Sequence, residues 1–148
     1  MSKKSNRVAN ALNKALSNSY ALMQIAHLYH WNVVGPQFIS FHTFFEEQYT
    51  ELFTAVDDLA ERLRALELMA PASLAELRGN AKVGDVSATG KALDMIAGYK
   101  QANDIVIEGL RELSEAASET GDTETEDMAI ARLQVHTKTA WMLRAILK

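Results

Sequence analysis

"FISFHTFFEEQYTELFTAVDDLAERLRALEL", residues 38–68, decides the fold. Phe38, Phe41, Phe45, Tyr49, Leu52, Val56, Leu59, Leu63 and Leu66 recur at steps of three and four, which is one apolar stripe along a helix. Sustained over about 30 residues, the stripe makes roughly 45 Å of helix. Beside it lie two polar pairs at four-residue spacing, His42 with Glu46 and Asp57 with Glu61, so each pair shares a local face. With His42 at zero and about 100° per residue, Glu46, Asp57 and Glu61 fall at about 40°, 60° and 100°, on one flank of the stripe.

Upstream, about Asn6 to Val34 forms a first helical segment, with Val8, Leu12, Ala15, Leu16, Tyr20, Met23 and Ala26 in register. "VVGPQ" ends it, because Gly35 suits a left-handed position and Pro36 cannot continue the hydrogen-bond ladder. Downstream, "APASLAELRGNAKVGD" breaks the pattern, and Ser73 with Glu76 predicts a short helix over Leu74 to Arg78. A third long segment spans about Thr89 to Glu119, with Leu93, Ile96, Ala97, Ile107, Leu110 and Leu113 as expected core and Gly98 and Gly109 as weak points. Thr123 with Glu126 predicts a capping box opening a last helix that runs to Lys148. The expected architecture is an all-α four-helix bundle, residues 1–148 as a single domain, with a short helix in the second-to-third connection. Residues 1–7 read as a flexible tail.

The bulk numbers agree. With 148 residues and 48% hydrophobic content, the chain can bury one core. A net charge of −4 argues against a wholly nucleic-acid-coating surface. Cysteine is absent, which excludes disulfides, thiolate zinc sites and cysteine nucleophiles. No apolar run approaches the ~20 residues of a membrane span. The start "MSKKSNRVAN" lacks the apolar core of a secretory signal, and a cytoplasmic setting is expected.

The axial spacing of the polar pairs is the puzzle. His42 and Asp57 are fifteen residues apart, or ~22 Å of rise, so no single ion with ligand bonds of ~2 Å reaches both pairs of one helix. The positions are centred between Glu51 and Leu52. An identical helix laid antiparallel across a two-fold axis there sets each His42–Glu46 pair against the other copy's Asp57–Glu61 pair. Thr50, Phe53 and Thr54 would form that contact. His30 adds a second imidazole, and two imidazoles with three carboxylates suit iron or manganese better than a closed zinc site. Each pair taken alone is better explained as a solvated helix face, and only their shared flank and common centre bring a metal site level with that reading.

"HWNVVGPQFISFH", "FFEEQY" and "VDDLAERLRAL" closely resemble the Dps family, the ferritin-like mini-ferritins also called DNA-binding proteins from starved cells, and the likeness runs along the whole chain. The resemblance implies His30, His42 and Glu46 as iron ligands from one subunit, and Asp57 and Glu61 from its two-fold partner, with Glu61 bridging two iron ions. The family often has aspartate where Glu46 stands, a shorter arm of the same charge. It implies a homododecamer that oxidises Fe(II), preferentially with hydrogen peroxide, and stores the ferric mineral, protecting DNA from oxidative damage. Ordinary ferritins instead use Glu-x-x-His pairs inside one bundle. No Glu here is followed three residues later by His.

Other residues carry further expectations. Trp31 is a candidate electron trap, with an interface aromatic as the alternative. His27 and His136 read as packing residues, and Tyr29 and Tyr49 as core or interface. Asp122, Glu124, Glu126 and Asp127 fit a helix start, and by the resemblance Asp122, Glu126 and Asp127 would line pores that admit iron. Lys3, Lys4 and Arg7 are candidate DNA contacts, the basis of an alternative function as a nucleoid-binding protein that shields DNA physically. The short tail and the acidic body favour simple solvation of these charges over DNA binding.

Overall fold

The computed structural model describes residues 3–148, with side chains from residue 6 onward. Five helices follow one another: α1 (Lys3–Asn32), α2 (Phe38–Ala65), α3 (Leu74–Asn80), α4 (Ala92–Thr120) and α5 (Thr123–Ile146). α1 packs on α2 and α4, α4 packs on α5, and the short α3 lies against α1. The described residues form an all-α bundle of four long helices with a helix-bearing second connection. No helix among them is long and apolar enough to cross a membrane.

The core follows the predicted stripes. Leu12, Leu22, Phe45, Leu52, Leu59, Leu63, Ile96, Tyr99, Leu110, Leu113 and Leu143 are fully buried, each large aliphatic or aromatic side chain contributing about 1.5–3 kcal/mol. Tyr29, Phe45 and Tyr99 pack in series, tilted and then edge-on, with centroids 5.5 and 5.6 Å apart. Burial raises the pKa of both tyrosines, so both phenols stay neutral. Gly98 makes room for this cluster, since a Cβ there would lie 2.7 Å from the Tyr29 hydroxyl. The glycine that weakens α4 by propensity thus sets how closely α1 approaches it, one residue from His30.

Asn18, buried on α1, accepts from the backbone N–H groups of Lys82 (2.7 Å) and Val83 (3.1 Å), tying the long connection to the bundle. Ser73 caps α3 by accepting from Glu76 N–H, while the Glu76 carboxylate accepts from Ala72 N–H.

Several expectations need correction. The cap of α5 is Asp122, not Thr123: its carboxylate accepts from Thr125 N–H at 3.2 Å. Gly121 closes α4 in the left-handed region (φ 72°), and only Asp122 is left between the two helices. Phe38 and Leu93, expected in the core, are 37% and 49% exposed, because each lies in the first turn of its helix where the bundle tapers. α1 begins at Lys3, inside the stretch expected to be a tail, while residues 1–2 lie outside the described residues.

Candidate metal centre

The turn between α1 and α2 builds the centre. Tyr29 O accepts from Val33 N–H as α1 ends, Gly35 takes φ 117°, and Gly35 O accepts from Phe38 N–H at 3.0 Å as α2 starts. A side chain at Gly35 would be strained at that φ. The reversal sets His30, in the last turn of α1, beside His42, near the start of α2.

The two imidazoles lie face to face, with centroids 3.7 Å apart and planes 15° off parallel. His30 Nδ1–H donates to the His42 carbonyl (2.8 Å), and His42 Nδ1–H donates to the His30 carbonyl (2.7 Å). A carbonyl only accepts, so each Nδ1 carries the proton and each Nε2 keeps a free lone pair. The His30 carbonyl is one of the acceptors left over at the end of α1, and His42 satisfies it. Glu46, one turn after His42, completes the cluster: one ligand atom from each of the three residues lies within 4.8 Å of the others. Two neutral imidazole nitrogens and a carboxylate fit a divalent transition metal with coordination positions left open.

Asp57 and Glu61 do not join this cluster. They stand exposed farther along α2, ~22 Å of rise beyond His42 in the case of Asp57. Of five expected ligands the protomer therefore gathers three and presents two elsewhere. Thr50, Phe53 and Thr54, between the groups, are all exposed, and Phe53 is 71% so.

Around the centre the aromatic residues are connected. Phe38 stacks on His42 at 4.8 Å, and Tyr49 meets His30 edge-on at 5.2 Å. Tyr49 also packs on His27 (4.0 Å), and His27 on Trp31 (5.0 Å). His27 is thus held by rings on both sides and is not part of the ligand cluster.

The remaining candidates have other partners. His136 is buried in a network that sequence reading missed: its Nδ1–H donates to Asn103 Oδ1 (2.8 Å), Arg132 donates to its Nε2 (2.9 Å), and Asn103 Nδ2 donates to its carbonyl (3.0 Å). Arg132 also pairs with Glu51, tying α5 to α2. Burial first, and then the Arg132 charge, push the His136 imidazole down to about 3. Polar residues at core positions of α4 and α5 are the only sequence signal of this network, because its members are far apart in the chain.

Asp122 accepts from Arg62 (2.7 Å) and from the Thr125 hydroxyl (2.6 Å) as well as capping α5. Burial pulls its pKa up, but the Thr125 and Arg62 hydrogen bonds outweigh this and hold it below the usual carboxylate range. Glu126 is half-buried, and Glu124 and Asp127 are exposed. Arg7 pairs with Glu119 and, at 3.5 Å, with Glu115, so its charge is partly neutralised by α4. The side chains of Lys3 and Lys4 lie outside the described residues.

The family model for the ferritin-like domain matches residues 9–148. The DNA protection during starvation protein of Brevibacillus brevis is 34% identical, covering 95% of this chain and 95% of its own length. The chain belongs to the Dps family. General stress protein 20U of Bacillus subtilis is 36% identical over 97% of this chain and 99% of that protein. The Dps protein of Bacillus brevis superposes with a TM-score of 0.96 at 31% identity, covering 100% of this chain and 99% of that one. The Dps protein of Vibrio cholerae O1, described as a member of a superfamily of ferritin-like diiron-carboxylate proteins, gives 0.93 at 32% identity, over 98% and 91%.

Proposed function

We propose that this protein is a ferroxidase and iron-storage protein that protects DNA from oxidative damage. Fe(II) is the substrate, two ions per site, and hydrogen peroxide is the preferred oxidant. The sites lie between subunits paired about a two-fold axis. Dimers assemble into a cytoplasmic homododecamer whose interior holds the ferric mineral. The observation that carries this reading is the stacked His30–His42 pair, with both Nε2 atoms free and Glu46 alongside.

The roles divide as follows. His30, His42 and Glu46 bind Fe(II) from one subunit. Asp57 and Glu61 of the partner subunit complete the shell, with Glu61 long enough to bridge two ions. The carbonyls of His30 and His42 hold each ring by its Nδ1–H and orient it, leaving Nε2 as the ligand atom. The carboxylates stabilise the extra positive charge as Fe(II) becomes Fe(III). Two Fe(II) ions give one electron each to peroxide, producing two Fe(III) and two hydroxide ions, with no one-electron step that would release hydroxyl radical. Trp31, exposed beside the site, serves as an electron trap when an oxidising equivalent is left over. Glu126 and Asp127 remain candidates for pores that admit Fe(II), where acidic groups raise the local cation concentration. Asp122 is better described as a structural cap.

A second function, physical shielding of DNA, has less support. Arg7 is paired on α4, which leaves the Lys3 and Lys4 charges to compete with an acidic body. Gel shifts across a salt series test it, since phosphate contacts give steeply salt-dependent binding.

The ferroxidase reading is tested by anaerobic Fe(II) titration followed by peroxide addition, with stopped-flow detection of Fe(III). The expected result is saturation at two Fe(II) per site and rapid oxidation. Fe(II) oxidation no faster than in buffer would refute it.

A further inference from the structure

We infer that the rings of Tyr49 and His27 form an electron relay from Trp31 to the metal ligand His30. This rests on the ferroxidase reading above and adds two residues that bind no metal. The route is a continuous series of ring contacts. Tyr49 of α2 meets His30 edge-on with centroids 5.2 Å apart, Tyr49 lies 4.0 Å from His27, and His27 stacks on Trp31 at 5.0 Å and 20°. Packing alone would account for any one of these contacts. The series is notable because it begins at a metal ligand and ends at an indole that is 63% exposed on the protomer. His27 and Trp31 are one turn apart on α1, so their stacking is fixed by helix geometry, and Tyr49 bridges from α2.

The relay matters when a site holds a single Fe(II). Peroxide needs two electrons, and one ferrous ion supplies only one. The second comes from Trp31, through His27 and Tyr49, and the indole N–H proton leaves to solvent. The step balances as one Fe(II), one peroxide and one tryptophan giving one Fe(III), one neutral indole radical, one water and one hydroxide. The tyrosine and histidine rings act as a bridge and end unchanged, so neither has to shed a proton. Trp31 is the terminus because indole gives up an electron more readily than imidazole and its ring closes the series of contacts.

The test uses the assembled protein, loaded anaerobically with one Fe(II) per site, mixed with peroxide and freeze-quenched. Electron paramagnetic resonance reads the indole radical, and stopped-flow absorbance reads Fe(III). The wild type is expected to give an indole radical that Trp31→Phe abolishes. Tyr49→Leu and His27→Leu are each expected to lose most of that signal and to release more trappable hydroxyl radical, with Fe(III) still formed. Tyr49→Phe, which keeps the ring, is expected to retain the radical. Full radical yield in both leucine variants would overturn the relay, as would persistence of the radical in Trp31→Phe. Loss in Tyr49→Phe would overturn the ring bridge in favour of phenol oxidation. Rapid Fe(III) formation in the wild type with no indole radical would sink the relay and leave the ferroxidase intact. Absence of accelerated Fe(III) formation would remove both.

Discussion

His30 and His42 each donate Nδ1–H to the other's backbone carbonyl, at 2.8 and 2.7 Å. The tautomer of both ligands is thereby fixed by main chain, and the stacking of the rings completes their orientation. Removing either ring deletes one ligand and releases the other from its stack. We expect His30→Ala and His42→Ala each to slow peroxide-driven Fe(II) oxidation on the order of 100-fold or more, at least the loss seen when a ligand's supporting contact is removed elsewhere. Stopped-flow absorbance at fixed Fe(II) measures it.

His136 predicts an acid limb of stability. Its imidazole is held neutral to about 3 in the folded chain, against an ordinary value of 6.5. Between these values the unfolded chain binds one more proton than the folded one, so stability rises with pH there. The contribution is complete above about pH 6.5 and is lost as pH falls toward 3. Chemical denaturation from pH 7 to 4 should show this slope, and His136→Gln should flatten it while lowering stability at pH 7.

Gly98 and Tyr29 should be coupled. Gly98→Ala puts a methyl 2.7 Å from the Tyr29 hydroxyl and is expected to cost about 1–3 kcal/mol by overpacking. Tyr29→Phe removes the obstructing oxygen. The double variant should recover most of the loss, a positive coupling in a double-mutant cycle read by guanidinium unfolding at fixed protein concentration.

Glu67 sits at φ 61°, just past α2, where Leu68 N–H donates back to Leu63 O at 3.0 Å. This is the left-handed exit that glycine adopts without strain. Glu67→Gly is expected to stabilise by about 0.5–1 kcal/mol in the same unfolding measurement, because the relief of left-handed strain exceeds the entropy glycine adds to the unfolded chain.

The helices were legible because burial imposes a period on the chain. Phe41, Phe45, Leu52, Leu59 and Leu63 are buried as their spacing requires. Phe38 keeps the same period yet is exposed, because periodicity cannot see where a neighbouring helix stops; it covers His42 instead. The pairing of His42 with Glu46 was readable from a single helix. The resemblance also brought His30 to His42, but not the face-to-face stack or the crossed Nδ1–carbonyl bonds, which depend on the angle of the turn at Gly35. The Asn103–His136–Arg132–Glu51 network was invisible for a related reason: its members come from three helices and meet only after the bundle forms. Thr123 was expected to cap α5, but with Gly121 closing α4 the capping position falls to Asp122, one residue earlier.

Whether the site is shared between subunits is tested most directly by mixing two defective variants. His42→Ala lacks a ligand from the α1–α2 cluster, and Asp57→Ala lacks one from the far end of α2. Co-assembled, some of the two-fold dimers would carry one intact site built from the undamaged half of each chain. Mixed assemblies are expected to regain a measurable fraction of peroxide-driven Fe(II) oxidation that neither variant shows alone. Mixed assemblies that demonstrably form, yet stay as inactive as their parents, would contradict it.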